Sequence, residues 1–242
     1  MFALCSNVTF LDLDIYSLKH ASAEHLDGLF PRAEVVQLRG MMDLSLVKSI
    51  LHGLGKAPLK RLVLDTIFDY QAARSSEVTE EGKELGIDSL AKDPPSGYAN
   101  MLGHLTPSLY ARCSNLDTLY LSKFGQHSTN QHDAHRQYPF NTSDEEDVYR
   151  EWASFIAAVK PKRLFLKQLH VGRWDADMSG HSPMNDLFRR LLLPVLEEGW
   201  DGLERLELGG VGLDDEVLLR RQLKGVEIVV DAKVERFELL GQ

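Results

Sequence analysis

Four side chains able to bind a metal stand close together in Gln126-His127-Ser128-Thr129-Asn130-Gln131-His132-Asp133-Ala134-His135-Arg136: His127, His132, Asp133 and His135. Imidazole nitrogens and a carboxylate are Zn²⁺ ligands, and such a set with one position left open is what a hydrolytic zinc requires. Their spacing matches no established ligand motif. Structural zinc usually draws on cysteine, and Cys5 and Cys113 are both committed elsewhere. The segment therefore reads first as a solvated polar loop and second as a metal site on His127, His132 and His135; no cofactor is expected. Other catalytic signatures are missing: no Gly-x-Ser-x-Gly elbow, no phosphate loop ending in Lys-Ser/Thr, no Gly-x-Gly-x-x-Gly and no His-Glu-x-x-His. Gly209-Gly210-Val211-Gly212 reads as a tight turn, and Asp214-Asp215 after it suits the positive end of a helix.

A second constellation emerges from a repeated phrase. Cys5-Ser6-Asn7-Val8-x-x-Leu11-x-Leu13 recurs as Cys113-Ser114-Asn115-Leu116-x-x-Leu119-x-Leu121. Weaker copies run Ala33-x-x-Val36-x-Leu38, Leu59-x-x-Leu62-x-Leu64, Pro161-x-x-Leu164-x-Leu166, Leu203-x-x-Leu206-x-Leu208 and Leu223-x-x-Val226-x-Ile228. The middle markers are spaced 25, 26, 57, 45, 42 and 20 residues apart, so three of the six steps fit a repeat of 20 to 29 residues. In Leu-x-Leu both leucines point to one side of a strand. The other side then carries the row Asp12, Gln37, Val63, Tyr120, Phe165 and Glu207. Phe10, Val35, Arg61, Thr118, Arg163 and Arg205 flank it on one side, and Asp14, Arg39, Asp65, Ser122, Lys167 and Gly209 on the other. Aromatic side chains next to cations have the composition of an interface hot spot. The candidate binding residues are Val63, Tyr120, Phe165, Arg163, Lys167, Arg61 and Arg39, with Trp174 on a nearby loop. Two readings of the row stand: contact with a partner, or cover by one of the chain's own loops.

Helical patterns separate these strands, as parallel strands require. Asp43 caps a helix with Val47, Ile50, Leu51 and Leu54 on one face. Ser143 and Glu146 form a capping box before Val148, Trp152, Phe155, Ile156 and Val159. Ser182-Pro183 opens a helix with Leu187, Phe188, Leu191 and Val195 that Pro194 kinks near its end. Weaker helices are expected over 19–29, 98–112 and 214–222, and Val226 to Leu240 is apolar enough to hold a closing strand. The long steps place insertions at about 67–97, 123–143 and 168–182, all on one rim. Tyr138-Pro139-Phe140 pins the second to the body.

A covered doubly wound sheet reads as unbroken Val/Ile/Leu, whereas here the second side is polar or mixed. The expectation is an α/β leucine-rich-repeat solenoid of about seven irregular repeats in one domain spanning 1–242, a horseshoe with a concave parallel sheet and helices on its convex side. The repeated phrase resembles the leucine-rich repeats of F-box proteins, especially the long-looped arrays of filamentous fungi. That resemblance implies substrate recognition for a ubiquitin ligase. The F-box itself has no counterpart before Val8, so it implies the binding half alone.

With 43% hydrophobic and 26% charged residues, the 242-residue composition is that of a folded domain. Lys+Arg of 27 against Asp+Glu of 36 leaves −9, which argues against nucleic acid or anionic membrane as partner. No apolar run approaches the roughly 20 residues of a membrane helix, and the start lacks a basic, long-cored secretion signal. A cytoplasmic or nuclear location with reduced cysteines is expected; strands three steps apart are separated by roughly 14 Å, too far for a disulfide. The function expected is non-catalytic binding of a protein or peptide on the concave face and loop rim. The alternative is a metal-dependent or hydrolytic α/β enzyme using the loops after strands three to five.

Overall fold

Alternating apolar and polar residues bury one side of an extended chain and wet the other, so each Leu-x-Leu phrase favours a strand. The computed structural model describes residues 6–14, 30–42, 47, 50–51, 53–54, 58–69, 107–125, 142–170, 187–209 and 213–231. Its strands are β1 (Phe10–Asp14), β2 (Val35–Met42), β3 (Arg61–Asp69), β4 (Thr118–Gly125), β5 (Arg163–His170), β6 (Arg205–Gly209) and β7 (Glu227–Asp231). They form one sheet in the order β1-β2-β3-β4-β5-β6-β7, and every neighbouring pair is parallel. The class is α/β.

Leu11, Val36, Leu62, Leu119, Leu164 and Leu206 pair across the sheet in the register expected from the repeat. The seventh phrase is a correction: Ile228, not Val226, stands opposite Leu206. Leu223 still belongs to the preceding helical turn, its N–H donating to the Leu219 carbonyl, and Gly225 turns the chain at φ +86°. The last strand therefore starts at Glu227, and the final pair is Ile228-x-Val230.

Between the strands lie α1 (Pro107–Tyr110) running into a 3₁₀ turn (Ala111–Cys113), α2 (Thr142–Val159), a π-helical turn (Phe188–Leu192) leading into α3 (Leu193–Glu198), and α4 (Leu213–Gln222). Val47, Ile50, Leu51 and Gly53 are also helical. The inner-face residues from Leu11 to Ile228 and the apolar faces of these helices form one buried cluster. Within it Phe155 meets Tyr110 edge to face, with ring centroids 5.4 Å apart. A leucine moved from water into such a core contributes about 2 kcal/mol, so the inner face dominates the stability of the sheet.

Two expected helix devices take other forms. Helix α2 begins at Thr142, one residue before Ser143, and both Glu146 carboxylate oxygens go to arginines, Arg150 in the next turn and Arg190 at 2.8 Å. Glu146 thus ties α2 to the π-helical turn instead of closing a capping box. Pro194 lacks an N–H, and the irregularity it was expected to cause sits just before it. The Leu193 N–H donates to the Phe188 carbonyl, closing a wide turn, and the proline occupies the start of α3, where no donor is needed. Gly199 ends α3 at φ +60°, and a Cβ there would lie 2.8 Å from Leu223 Cδ2.

Strands β3, β4 and β5 run on to Asp69, Gly125 and His170, so the first residues of all three expected insertions are strand. The helix expected over 98–112 is described only from Pro107. Thr142 and Ser143, at the end of the second insertion, open α2, and the other insertion residues, 19–29, Asp43, Ser182-Pro183, Tyr138-Pro139-Phe140, Gly210 to Gly212, Cys5 and the chain beyond Asp231 lie outside the described residues. No described helix is long and apolar enough to cross a membrane.

Cys113 is a free thiol buried in the cluster, and burial pushes its pKa from 9.0 up to about 12. Iodoacetamide at pH 8.5 is expected to leave the Cys113 peptide unmodified in the native protein and to alkylate it fully in urea, as read by mass mapping. The raised pKa means the unfolded chain releases this proton first. The thiol's contribution to stability is therefore intact below pH 9 and falls between 9 and 12, by at most about 1.4 kcal/mol per pH unit. Equal labelling rates in buffer and urea would show that the thiol is not buried.

Candidate functional site

The sheet face opposite the core is built from the residues between the leucines. Asp12, Gln37, Val63, Tyr120, Phe165, Glu207 and Val229 stand in one row across all seven strands. The row nearer the strand starts holds Phe10, Val35, Arg61, Thr118, Arg163, Arg205 and Glu227. Parallel register at about 4.8 Å per strand makes such rows continuous ridges.

The centre of the face is aromatic. Tyr120 and Phe165, adjacent on β4 and β5, are each half-buried, with ring centroids 6.3 Å apart and planes tilted by 32°. From β6 the Arg205 guanidinium lies over the Phe165 ring, 5.7 Å from its centroid. Arg205 also donates to Glu207 Oε2 at 2.9 Å and pairs with Glu227 at 3.3 Å. The hydrogen bond to Glu207, with the field of Glu227 behind it, raises its pKa above the ordinary arginine value. It is thus a cation held above an aromatic plane by its carboxylate partners.

Val63 departs from expectation. It is 6% exposed and lies outside the main cluster, so it is a covered member of the row instead of an exposed anchor. It stands in register between Gln37 and Tyr120, both of which are half-buried. Ser122 is also buried on this face and donates to Asp65 Oδ1 at 2.5 Å.

The predicted cations divide. Arg163 is exposed in the row beside the aromatics, with Asp117 at 3.8 Å and Glu204 at 3.6 Å. Arg61 is exposed in the same row, two strands away. Lys167 is half-buried and lies against Gly209, where an added Cβ would come within 3.0 Å of its Cγ. Arg39 is on β2 and holds Asp12 at 2.8 and 2.9 Å. Three strand steps separate it from Phe165, so it does not join the aromatic centre. Trp174 and the histidine segment (His127, His132, Asp133 and His135) lie outside the described residues. Among the described residues no three of His, Cys, Asp or Glu are placed to hold a metal.

Arg205 was left out of the predicted set. Its diagonal position to Phe165, two residues before Glu207 on the next strand, is the signal that singles it out. Together these groups offer two tilted aromatic rings, one of them capped by a cation, a surface suited to an apolar or aromatic side chain. Compared with known protein families, characterised proteins and solved structures, the chain matches none.

Proposed function

We propose that the chain is a non-catalytic binding module that holds a protein or peptide on the open face of its sheet. The observation that carries this is the half-exposed Tyr120–Phe165 pair under Arg205, on the face that the core leaves uncovered. In this reading the fold is a leucine-rich-repeat solenoid, with the sheet as the concave side of a horseshoe and the helices on its convex side. Its support is a strand order that never reverses, with one Leu-x-Leu layer per strand. A doubly wound enzyme sheet reverses its order and binds ligand at that point, and the described strands have no such point. Recognition of substrates for a ubiquitin ligase is the version of this function that the F-box resemblance suggests, with the rim loops setting specificity.

Selection of random 12-residue peptides displayed on phage against the immobilised protein tests the proposal. Selected peptides are expected to lose about a hundredfold or more in affinity for Tyr120→Ala/Phe165→Ala, since anchor residues contribute roughly 2 kcal/mol each. Equal affinity for the double variant, folded by circular dichroism, would remove the face from consideration.

A further inference from the structure

The cations of the open face are not equivalent, and the difference points to the chemistry of the bound segment. Arg39 and Arg205 are held by close carboxylates, at 2.8 Å to Asp12 and 2.9 Å to Glu207. Arg163 has its two carboxylates at 3.6 and 3.8 Å, beyond hydrogen-bonding distance, which leaves its N–H donors to water. Arg61 has no ion pair or side-chain hydrogen bond among the described residues. Its register neighbours Val35 and Thr118 carry no charge, so the lack of a partner follows from the row itself. Arg61 and Arg163 flank Thr118 from either side, two strand steps or roughly 10 Å apart at the backbone. Both are exposed.

We infer that the face takes an extended peptide segment in which one Asp or Glu lies two residues from an aromatic or leucine, the carboxylate binding at Arg61 and Arg163 and the apolar side chain at Tyr120 and Phe165. The inference rests on the binding-face reading above and adds the class of ligand. The spacing follows from geometry: the two rows are two residues apart along a strand, about 6.6 Å, which is also the repeat of same-side residues in an extended peptide. An arginine with unused donors matches a carboxylate in a planar, two-bond arrangement. Asp117 and Glu204 stand beside Arg163, and the chain as a whole carries −9. This negative background disfavours a phosphate dianion or a long acidic tract, so the complement is one isolated carboxylate.

The phage-selected peptides supply the probe. They are expected to carry Asp or Glu two residues from an aromatic or leucine, and Glu→Gln in a synthetic copy is expected to weaken binding about tenfold. Arg61→Ala and Arg163→Ala are each expected to do the same. Arg61→Glu/Arg163→Glu, with lysine replacing the acidic residue of the peptide, is expected to restore affinity to within a few fold, a result that a folding defect cannot give. Peptides that need Tyr120 and Phe165 but ignore both arginines would overturn this inference and leave the binding face standing. Phosphoserine in place of glutamate that tightens binding more than tenfold would overturn the choice of carboxylate. Selected peptides indifferent to Tyr120→Ala/Phe165→Ala, or no selected peptide at all, would sink both.

Discussion

Phe155→Ala is expected to lower the free energy of unfolding by about 4 kcal/mol, read as a shift of the urea midpoint with the slope unchanged. Phe155 is the largest side chain that the core encloses completely among the described residues. It lies on α2, the longest described helix, and its edge-to-face contact with Tyr110 joins that helix to α1. Removing the ring deletes the transfer term and leaves a cavity between two helices and the sheet, a combination that costs about 3–5 kcal/mol in close-packed interiors. Neighbouring bulk cannot easily collapse into the gap, because Trp152 and Ile156 are themselves buried on the same helix. A loss under about 1 kcal/mol would mean that α2 is not packed on the sheet as described.

Much of this arrangement was legible in the residues, because its periods are simple. The Leu-x-Leu phrase repeats at a fixed place in each strand, so aligning it gave the outer rows from Asp12 to Glu207 without coordinates. The phrase breaks down at Val226, where a buried leucine just past α4, Leu223, mimics its first position. Periodicity in one dimension cannot tell Leu223 in a helical turn from a leucine before a strand. Burial on the outer face was also out of reach. Val63, Tyr120 and Phe165 occupy equivalent positions in the repeat, yet the first is covered and the other two half-open, a difference that the period of the phrase does not carry. Glu146 was similarly ambiguous. Its spacing from Ser143 suits a cap, but a helix arriving from later in the chain brought Arg190 within 2.8 Å and a charge-assisted pair was available instead.

The sharpest test of the two-sided sheet sets adjacent residues of β4 against each other. Leu119 is fully buried in the cluster, whereas Tyr120 belongs to the opposite row. Leu119→Asn is expected to cost about 4 kcal/mol or more, because it removes branched carbon from a packed layer and strands an amide among Leu62, Leu164 and their neighbours with no donor or acceptor to meet it. Tyr120→Asn, one position on, keeps its new amide in contact with solvent and gives up the tilted contact with Phe165 from a half-buried position, an expected loss of roughly 1 kcal/mol. Both substitutions place the same side chain in the same strand, so intrinsic strand preference differs between them only by that of tyrosine against leucine, less than about 1 kcal/mol. The difference, measured by urea unfolding, reports which side of the chain faces the core. Were the two variants to unfold at the same midpoint, β4 would not have one wet face and one dry, and a ligand site on the wet one could not be sustained.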